Sequence, residues 1–308
     1  MDKWLLLVNP ASASGSGKGA WEESEKILTD GGLTVEHVET RYPGHAMEIA
    51  AKAAAEGFRK FIATGGDGTI HEVMSGLLRY FDASGDDPGN FTLAVLPYGT
   101  GNDWIRTPGI PADMAEAARC IVRGRTAKED LVRLSFENGV FCMANVGGIG
   151  LDADICHYTN KLKRKGFKGG LIYKLATPYA IFTRKINPVE IVCDGEPVYR
   201  GRLFSAVFAN GVFRGGGVHQ NQDGGRWDDG LLELSIMGDV SRFKAVLLMV
   251  HALLGDFAAR PGIISRSFRK MTVTPLGDTS RVESDGDLPG VLPLTVELTG
   301  KQINIIVP

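Results

Sequence analysis

The sequence predicts two domains. Residues 1–128 form an N-terminal α/β domain with a mainly parallel sheet covered by helices, and residues 129–308 a C-terminal antiparallel β-rich, sandwich-like domain with inserted helices. Three observations carry this. The first third alternates short apolar runs with amphipathic segments of helical period, the pattern of repeated β-α units. After about residue 128 the texture changes to short alternating runs separated by Gly, Asp and Pro turns. The chain has 308 residues, 44% of them apolar and 23% charged, which suffices for two cores of ordinary size.

In chain order, Trp4–Val8 is a buried-strand run closed by Asn9-Pro10, and a Ser/Gly loop leads into a helix ending near Gly31-Gly32. Residues 35–40 read as the second strand. Ala46, Ile49, Ala50 and Ala53 then share one helical face, with Gly57 as the stop. Residues 61–64 are the third strand, and Ile70, Val73, Met74, Leu77 and Leu78 mark the helix after it. Residues 93–96 are the fourth strand, followed by a helix marked by Met114, Ala117, Ala118 and Ile121. In the second domain strands are expected at 131–136, 140–146, 189–193, 203–208, 231–236, 271–274 and 294–298, with helices at about 170–182 and 241–254. A last apolar run, 303–307, can pair in either domain.

Composition excludes several classes. A net charge of −2 argues against wholesale electrostatic binding to nucleic acid or to an anionic membrane, so any basic contact surface must be local. The four cysteines (Cys120, Cys142, Cys156, Cys193) form no C-x-x-C pair and read as buried thiols in a reducing cytoplasm. The start of the chain lacks the pattern of a signal peptide. The longest apolar stretch, around 245–254, is short of the about 20 residues needed to span a bilayer. A cytoplasmic protein is expected, at most resting on the inner face of a membrane.

In open α/β sheets, ligands collect beyond the carboxyl ends of the strands. Four such ends here are small or polar: Asn9-Pro10-Ala11-Ser12 with a Gly-rich loop carrying Lys18, then Thr40, then Gly65-Gly66-Asp67-Gly68-Thr69, then Gly99-Thr100-Gly101-Asn102-Asp103. Glycines leaving a strand let amides approach an anion, and the next helix adds its positive end. Asp67 would repel phosphate unless a cation intervenes, and Mg²⁺ takes carboxylate oxygens while bridging phosphates. The plainer alternative is a Gly-Asp-Gly turn in which Asp67 caps the helix.

Gly65-Gly66-Asp67-Gly68-Thr69, with Glu72 and Gly76-Leu77 beyond, resembles the G-G-D-G-T-x-x-E-V-x-x-G-L signature of the diacylglycerol kinase catalytic domain. Pro97-x-Gly99-Thr100-x-Asn102-Asp103 is similar to that family's P-x-G-T-x-N-D block, Asn9-Pro10 to its N-P-x-S-G opening, and Pro43-Gly44-His45-Ala46 to its P-G-H-A stretch. The resemblance continues through Gly148-Ile149-Gly150-Leu151-Asp152-Ala153, Asn210 with Gly215-Gly216-Gly217, Asp228-Asp229-Gly230-Leu231-Leu232 and Asp285-Gly286-Asp287. Such blocks, in order across nearly the whole chain, make the resemblance specific to the diacylglycerol and sphingosine kinase-like lipid kinases.

That resemblance implies ATP as donor, Mg²⁺, a lipid hydroxyl as acceptor at a membrane surface, and an active site between the domains. It places Asn9, Pro10, Thr40, Gly65, Gly66, Asp67, Gly68, Thr69, Glu72, Gly99, Thr100, Asn102 and Asp103 at the nucleotide. Lys18 faces phosphate or is a solvated surface lysine. Asp229 matches a magnesium aspartate, with the backbone carbonyls of Arg226 and Leu231, and with Asp67 and Asp103 in the surrounding network. Asp287 stands where the family has its catalytic glutamate, and Asp285 is its paired aspartate. The family has D-G-E where this chain has D-G-D, and the lost methylene shortens reach by about 1.5 Å. Either the backbone shifts to keep Asp287 as the base, or Asp285 takes that role, or activity is reduced; Asp-Gly is also a hairpin signal.

Other patterns fail. Gly15 to Gly19 lacks the Walker A spacing, and Gly148-x-Gly150-x-x-Ala153 imitates a dinucleotide fingerprint without an evident helix behind it. Lys161, Lys163, Arg164, Lys165 and Lys168 precede the apolar stretch 171–182, which contains Tyr173, Tyr179 and Phe182; this suits either a membrane interface or a solvated loop before a core helix. An NAD kinase-like activity on a soluble metabolite and a non-catalytic nucleotide- or lipid-binding regulator are the competing functions. A homodimer is allowed.

Overall fold

The structure, a computed structural model, describes residues 3–12, 20–99, 102–167, 171–215, 217–219, 226–254, 257 and 260–308. It opens with β1 (Trp4–Val8), α1 (Ala20–Asp30), β2 (Val35–Glu39), α2 (His45–Ala55), β3 (Lys60–Gly65), α3 (Asp67–Ser84), β4 (Thr92–Pro97) and α4 (Met114–Arg123). The four strands run parallel in the order β2-β1-β3-β4. Every residue of β1 is buried, which is why the run reads as continuously apolar and not alternating. The connection from β1 to β2 runs the opposite way along the sheet from those reaching β3 and β4. Right-handed crossovers therefore put α1 on one face and α2 and α3 on the other. Strand order reverses between β1 and β3, the place where open α/β sheets leave a crevice.

The second half contains β5 (Thr126–Phe136), β6 (Gly139–Met143), β7 (Val146–Gly150), α5 (Leu151–Arg164), α6 (Leu171–Thr183), β8 (Pro188–Cys193), β9 (Glu196–Arg202), β10 (Ser205–Ala209), β11 (Phe213–Arg214), β12 (Val218–His219), β13 (Leu232–Met237), α7 (Arg242–Leu254), β14 (Ile263–Phe268), β15 (Lys270–Pro275), β16 (Arg281–Ser284), β17 (Asp287–Val291) and β18 (Leu294–Ile306). A six-stranded antiparallel sheet, β14-β13-β10-β7-β16-β17, faces β5, β8, β15 and β18 across a core that includes Val132, Leu134, Ile191, Phe208, Ile236 and Val296. This is the sandwich. A third apolar cluster, with Leu151, Ala180, Phe204 and Leu248, packs α5, α6 and α7 onto the six-stranded sheet.

Several elements depart from the sequence reading. The expected strand 140–146 is two strands, because the amides of Ala144, Asn145 and Val146 turn away to a buried carboxylate described below. The runs at 294–298 and 303–307 belong to one bulged strand, β18, which pairs antiparallel with β5 and β15 and places Asn304 and Ile305 parallel to Thr92 and Leu93 of β4. The segment 151–164 is the helix α5, so a helix does follow Gly148-x-Gly150, and Lys161, Lys163 and Arg164 lie on it and not on a loop.

Candidate active site

The site is built at the carboxyl ends of β1, β3 and β4. Asn9 spans the first two: its amide donates to the Thr69 hydroxyl at 3.0 Å, and its own side-chain oxygen accepts the Ala11 N–H. The loops after β3 and β4 meet glycine to glycine. A Cβ on Gly99 would lie 2.6 Å from the Gly66 Cα, so this approach needs glycine at position 99. Asn102 takes a left-handed φ of 48° and sends its amide to the Gly99 carbonyl, leaving Asn102 Oδ1 buried without a hydrogen-bond partner. An orphaned acceptor beside bare glycine backbone is a cradle suited to a polar ligand. Thr40 closes the rim at the end of β2, its N–H bonded to the Val8 carbonyl. Lys18 and Thr100 lie outside the described residues.

Asp67 opens α3 and holds the neighbouring loop. Its two oxygens accept the N–H groups of Asp103 and Trp104, each at 3.0 Å. Burial raises its pKa to about 6, against the lowering effect of those amides. Glu72, one turn on, accepts from Gly44 and Ala46 at 2.8 and 3.1 Å and so caps the first turn of α2. The Pro-Gly-His-Ala stretch and Glu72, the glutamate that follows the Gly-Asp-Gly motif, thus form one joint. Gly76 tightens it, since a Cβ there would fall 2.2 Å from the Met47 carbonyl.

The Asp-Gly-Asp turn joins β16 to β17. Asp285 and Gly286 have φ of 51° and 86°, the two positive values of a tight hairpin. The turn is thus the tight hairpin that Asp-Gly signals. Asp285 is buried and points inward, accepting from the amides of Ala144, Asn145 and Val146 at 2.9 to 3.0 Å and lying 3.2 Å from His71 Nδ1. Asp287 points to the rim, and a Cβ on Gly68 would sit 3.1 Å from its Oδ2. The carboxylate thus faces the first turn of α3, next to the space that a side chain at position 68 would take. Burial raises the Asp287 pKa, and His71 opposes the rise. Burial alone would lower the His71 pKa, but the Asp285 hydrogen bond and charge outweigh it and raise it.

His71 is the residue the sequence reading passed over. Its position on the buried face of α3, beside Glu72, was the available signal. Glu129 is another: buried at 1% exposure, it accepts from Trp104 Nε1 at 2.9 Å, and burial lifts its pKa to about 8. The Asp229 set stands apart from this cluster. Asp229 accepts the Leu231 N–H at 3.0 Å, Arg226 forks onto Asp228, and Asp228 and Asp229 line a cleft of about 660 Å³ with Asp130 and Gln302. Among the described residues no group of three or more His, Cys, Asp or Glu side chains is gathered for a metal.

Comparison with known proteins fits this architecture half by half. Residues 3–134 match the diacylglycerol kinase catalytic domain, and residues 145–307 the YegS C-terminal NAD kinase beta sandwich-like domain. The chain belongs to this lipid kinase family. It is 27% identical to a diacylglycerol kinase of Bacillus subtilis (strain 168) over 100% of this chain and 97% of that protein. It is likewise 27% identical to a "Probable lipid kinase YegS-like" protein of Xanthomonas campestris pv. campestris (strain 8004), over 97% of this chain and 89% of the other. A crystal structure of a diacylglycerol kinase from Bacillus anthracis str. Sterne superposes with a TM-score of 0.69 at 21% identity, covering 100% of this chain and 97% of that one, and supports the fold. The lipid kinase is thus an α/β half and a β-sandwich half meeting at the Asp67, His71, Asp285 and Asp287 cluster. Among the described residues no helix is long and apolar enough to cross a membrane.

Proposed function

We propose that this lipid kinase transfers the γ-phosphoryl group of ATP, taken as its Mg²⁺ complex, to the hydroxyl of a membrane lipid of diacylglycerol, sphingoid or phosphatidylglycerol type. The observation that carries the reading is the Asp287 carboxylate against Gly68, at the mouth of the cradle made by Gly66, Gly99 and Asn102. Phosphoryl transfer needs positioning and charge neutralisation more than covalent work. The amides of the two glycine loops and the N-terminal end of α3 supply dipoles toward phosphate. Asp67 keeps the second loop in place through its two amide bonds. Bound Mg²⁺ would neutralise the phosphate oxygens. Mg²⁺ keeps several waters and takes few protein carboxylates, so it would be held mainly through the nucleotide. The exposed Asp229 carboxylate, with the Arg226 and Leu231 carbonyls, has the oxygen chemistry for a second, structural cation.

The acceptor hydroxyl would give its proton to Asp287 as its oxygen attacks the γ-phosphorus and the bond to the β,γ-bridging oxygen breaks, leaving ADP as the product that carries those electrons away; the acid would then return its proton to water. Asp285 has its oxygens committed to three amides and His71, so it orients the turn and does not take the proton. The test is purified protein with ATP, Mg²⁺ and separate acceptors: diacylglycerol, phosphatidylglycerol, sphingosine and NAD. A phosphorylated lipid is expected. Phosphorylation of NAD alone would overturn the lipid assignment, and no transfer at all would leave a nucleotide- or lipid-binding regulator.

A further inference from the structure

A cavity of about 10 Å³ lies where Trp104 of the nucleotide half meets Asn145 of the sandwich, with Glu129 and Trp227 completing its polar lining. Glu129 and Asn145 are each 1% exposed. One end of each side chain is paired: Glu129 Oε1 accepts from Trp104 Nε1 at 2.9 Å, and the Asn145 amide donates to the Phe213 carbonyl at 2.8 Å. Among the described residues, no protein group pairs with the other ends, Glu129 Oε2 and Asn145 Oδ1, or with Trp227 Nε1. Three orphaned polar atoms around one small cavity call for a common partner, since buried polar groups are rarely left unpaired.

The chemistry of the three atoms identifies that partner. Burial lifts the Glu129 pKa to about 8 against the lowering effect of the Trp104 bond, and the charges of Asp285 and Asp130 add to the rise. At neutral pH the carboxyl therefore keeps its proton, and Oε2 is a donor. Trp227 Nε1 can only donate, and Asn145 Oδ1 can only accept. One water accepts from both donors and gives a proton to Asn145 Oδ1, the usual count of about three bonds, and about 10 Å³ is room for the centre of one water. The bridge joins two parts of the site. Trp104 also gives its backbone N–H to Asp67 at 3.0 Å and follows Asn102 in the loop of the cradle. Asn145 gives its backbone N–H to Asp285 at 2.9 Å, and so holds the turn that presents Asp287. Trp227 is anchored beside them, its carbonyl accepting the N–H of Asp130, the residue after Glu129, at 2.8 Å.

We propose that Glu129 and one buried water in this cavity form a polar strut that sets the spacing between the nucleotide cradle and the Asp285–Asp287 turn. Glu129 is thus a positioning residue, acting through Trp104 and Asn145, and its role rests on the nucleotide reading of the cradle given above. The full chain and its variants are compared by crystallography, by calorimetry with Mg²⁺ and ATP, and by kcat. One ordered water should lie within about 3.2 Å of Glu129 Oε2, Asn145 Oδ1 and Trp227 Nε1. Glu129→Met keeps the length of the side chain and loses its bonds; it should raise the Kd for ATP about tenfold and lower kcat about 100-fold. Glu129→Gln, which accepts from Trp104 and donates to the water, should bring both back to within about threefold of the wild type. Trp227→Phe removes only the ring N–H and should give an intermediate loss; it stands in if Glu129→Met does not fold. A cavity without water, wild-type Kd and kcat in folded Glu129→Met, or Glu129→Gln as impaired as Glu129→Met would each overturn the proposal. A wild type that binds no ATP would overturn the nucleotide reading and the strut with it. Absence of transfer to every lipid, with the pattern of Kd values intact, would count against the acceptor assignment alone.

Discussion

Asp285 and Asp287 sit two residues apart on one hairpin, and substitution should separate what each does. Removing the Asp285 carboxylate strands three buried backbone N–H groups and the His71 ring. A stranded buried donor costs about 1–3 kcal/mol. Because neighbours relax and the terms are not additive, Asp285→Ala should lose about 3–5 kcal/mol, the range for breaking a buried charged pair. That is a large share of the about 5–15 kcal/mol that holds a domain together. Asp287→Asn is different. Burial already disfavours the charged form of Asp287, so a neutral amide of the same size should change stability by under about 1 kcal/mol. It should still lower kcat by about 10²–10⁴, the worth of a positioned base, with little change in the KM for ATP. Urea unfolding of both variants, with steady-state kinetics of Asp287→Asn, makes the comparison. Wild-type stability in Asp285→Ala, or normal kcat in Asp287→Asn, would refute the division of roles.

Three further outcomes are expected. Glu129 has a folded pKa of about 8, raised by burial, so the stability its protonated form confers is complete below its unfolded pKa of about 4.3 and lost as pH rises through 8. Glu129→Gln should therefore lose this part of the pH dependence, keeping that of Asp67, His71 and Asp287, and exceed the wild type by a few kcal/mol at the alkaline end; parallel curves would exclude this. Gly99→Ala forces backbone apart at the 2.6 Å contact with Gly66, and should raise the KM for ATP by about tenfold while circular dichroism is unchanged. Asp67→Ala frees the amides of Asp103 and Trp104 and should abolish Mg²⁺-dependent turnover in a folded protein; normal activity would remove Asp67 from the mechanism.

The first half of the fold was legible because buried parallel strands read as unbroken apolar runs and its helices carry clean apolar faces, as in β1 and α3. α5 was hidden by composition. Leu151, Ile155, Tyr158 and Leu162 keep helical spacing, but lysines crowd the later turns and only one face is covered. The break between β6 and β7 could not be read locally, because it is made by Asp285, about 140 residues away. The same distance concealed the division of labour in the Asp-Gly-Asp turn. Sequence placed both acids near the chemistry, and only the fold shows that one is spent on backbone amides. His71 was overlooked because a buried histidine on an apolar helix face gives no sign of a carboxylate arriving from the far end of the chain.

β18 has a consequence for how the protein is made. Its residues Asn304 and Ile305 complete the sheet beside β4, which is synthesised roughly two hundred residues earlier. Throughout that interval the nascent α/β half carries an open strand edge, the kind of surface that pairs with the wrong neighbour. Its sheet closes only once β18 has been made. A premature stop that spares every residue of the cradle, and costs only the closing strand, should still yield a protein that aggregates before it can bind a nucleotide.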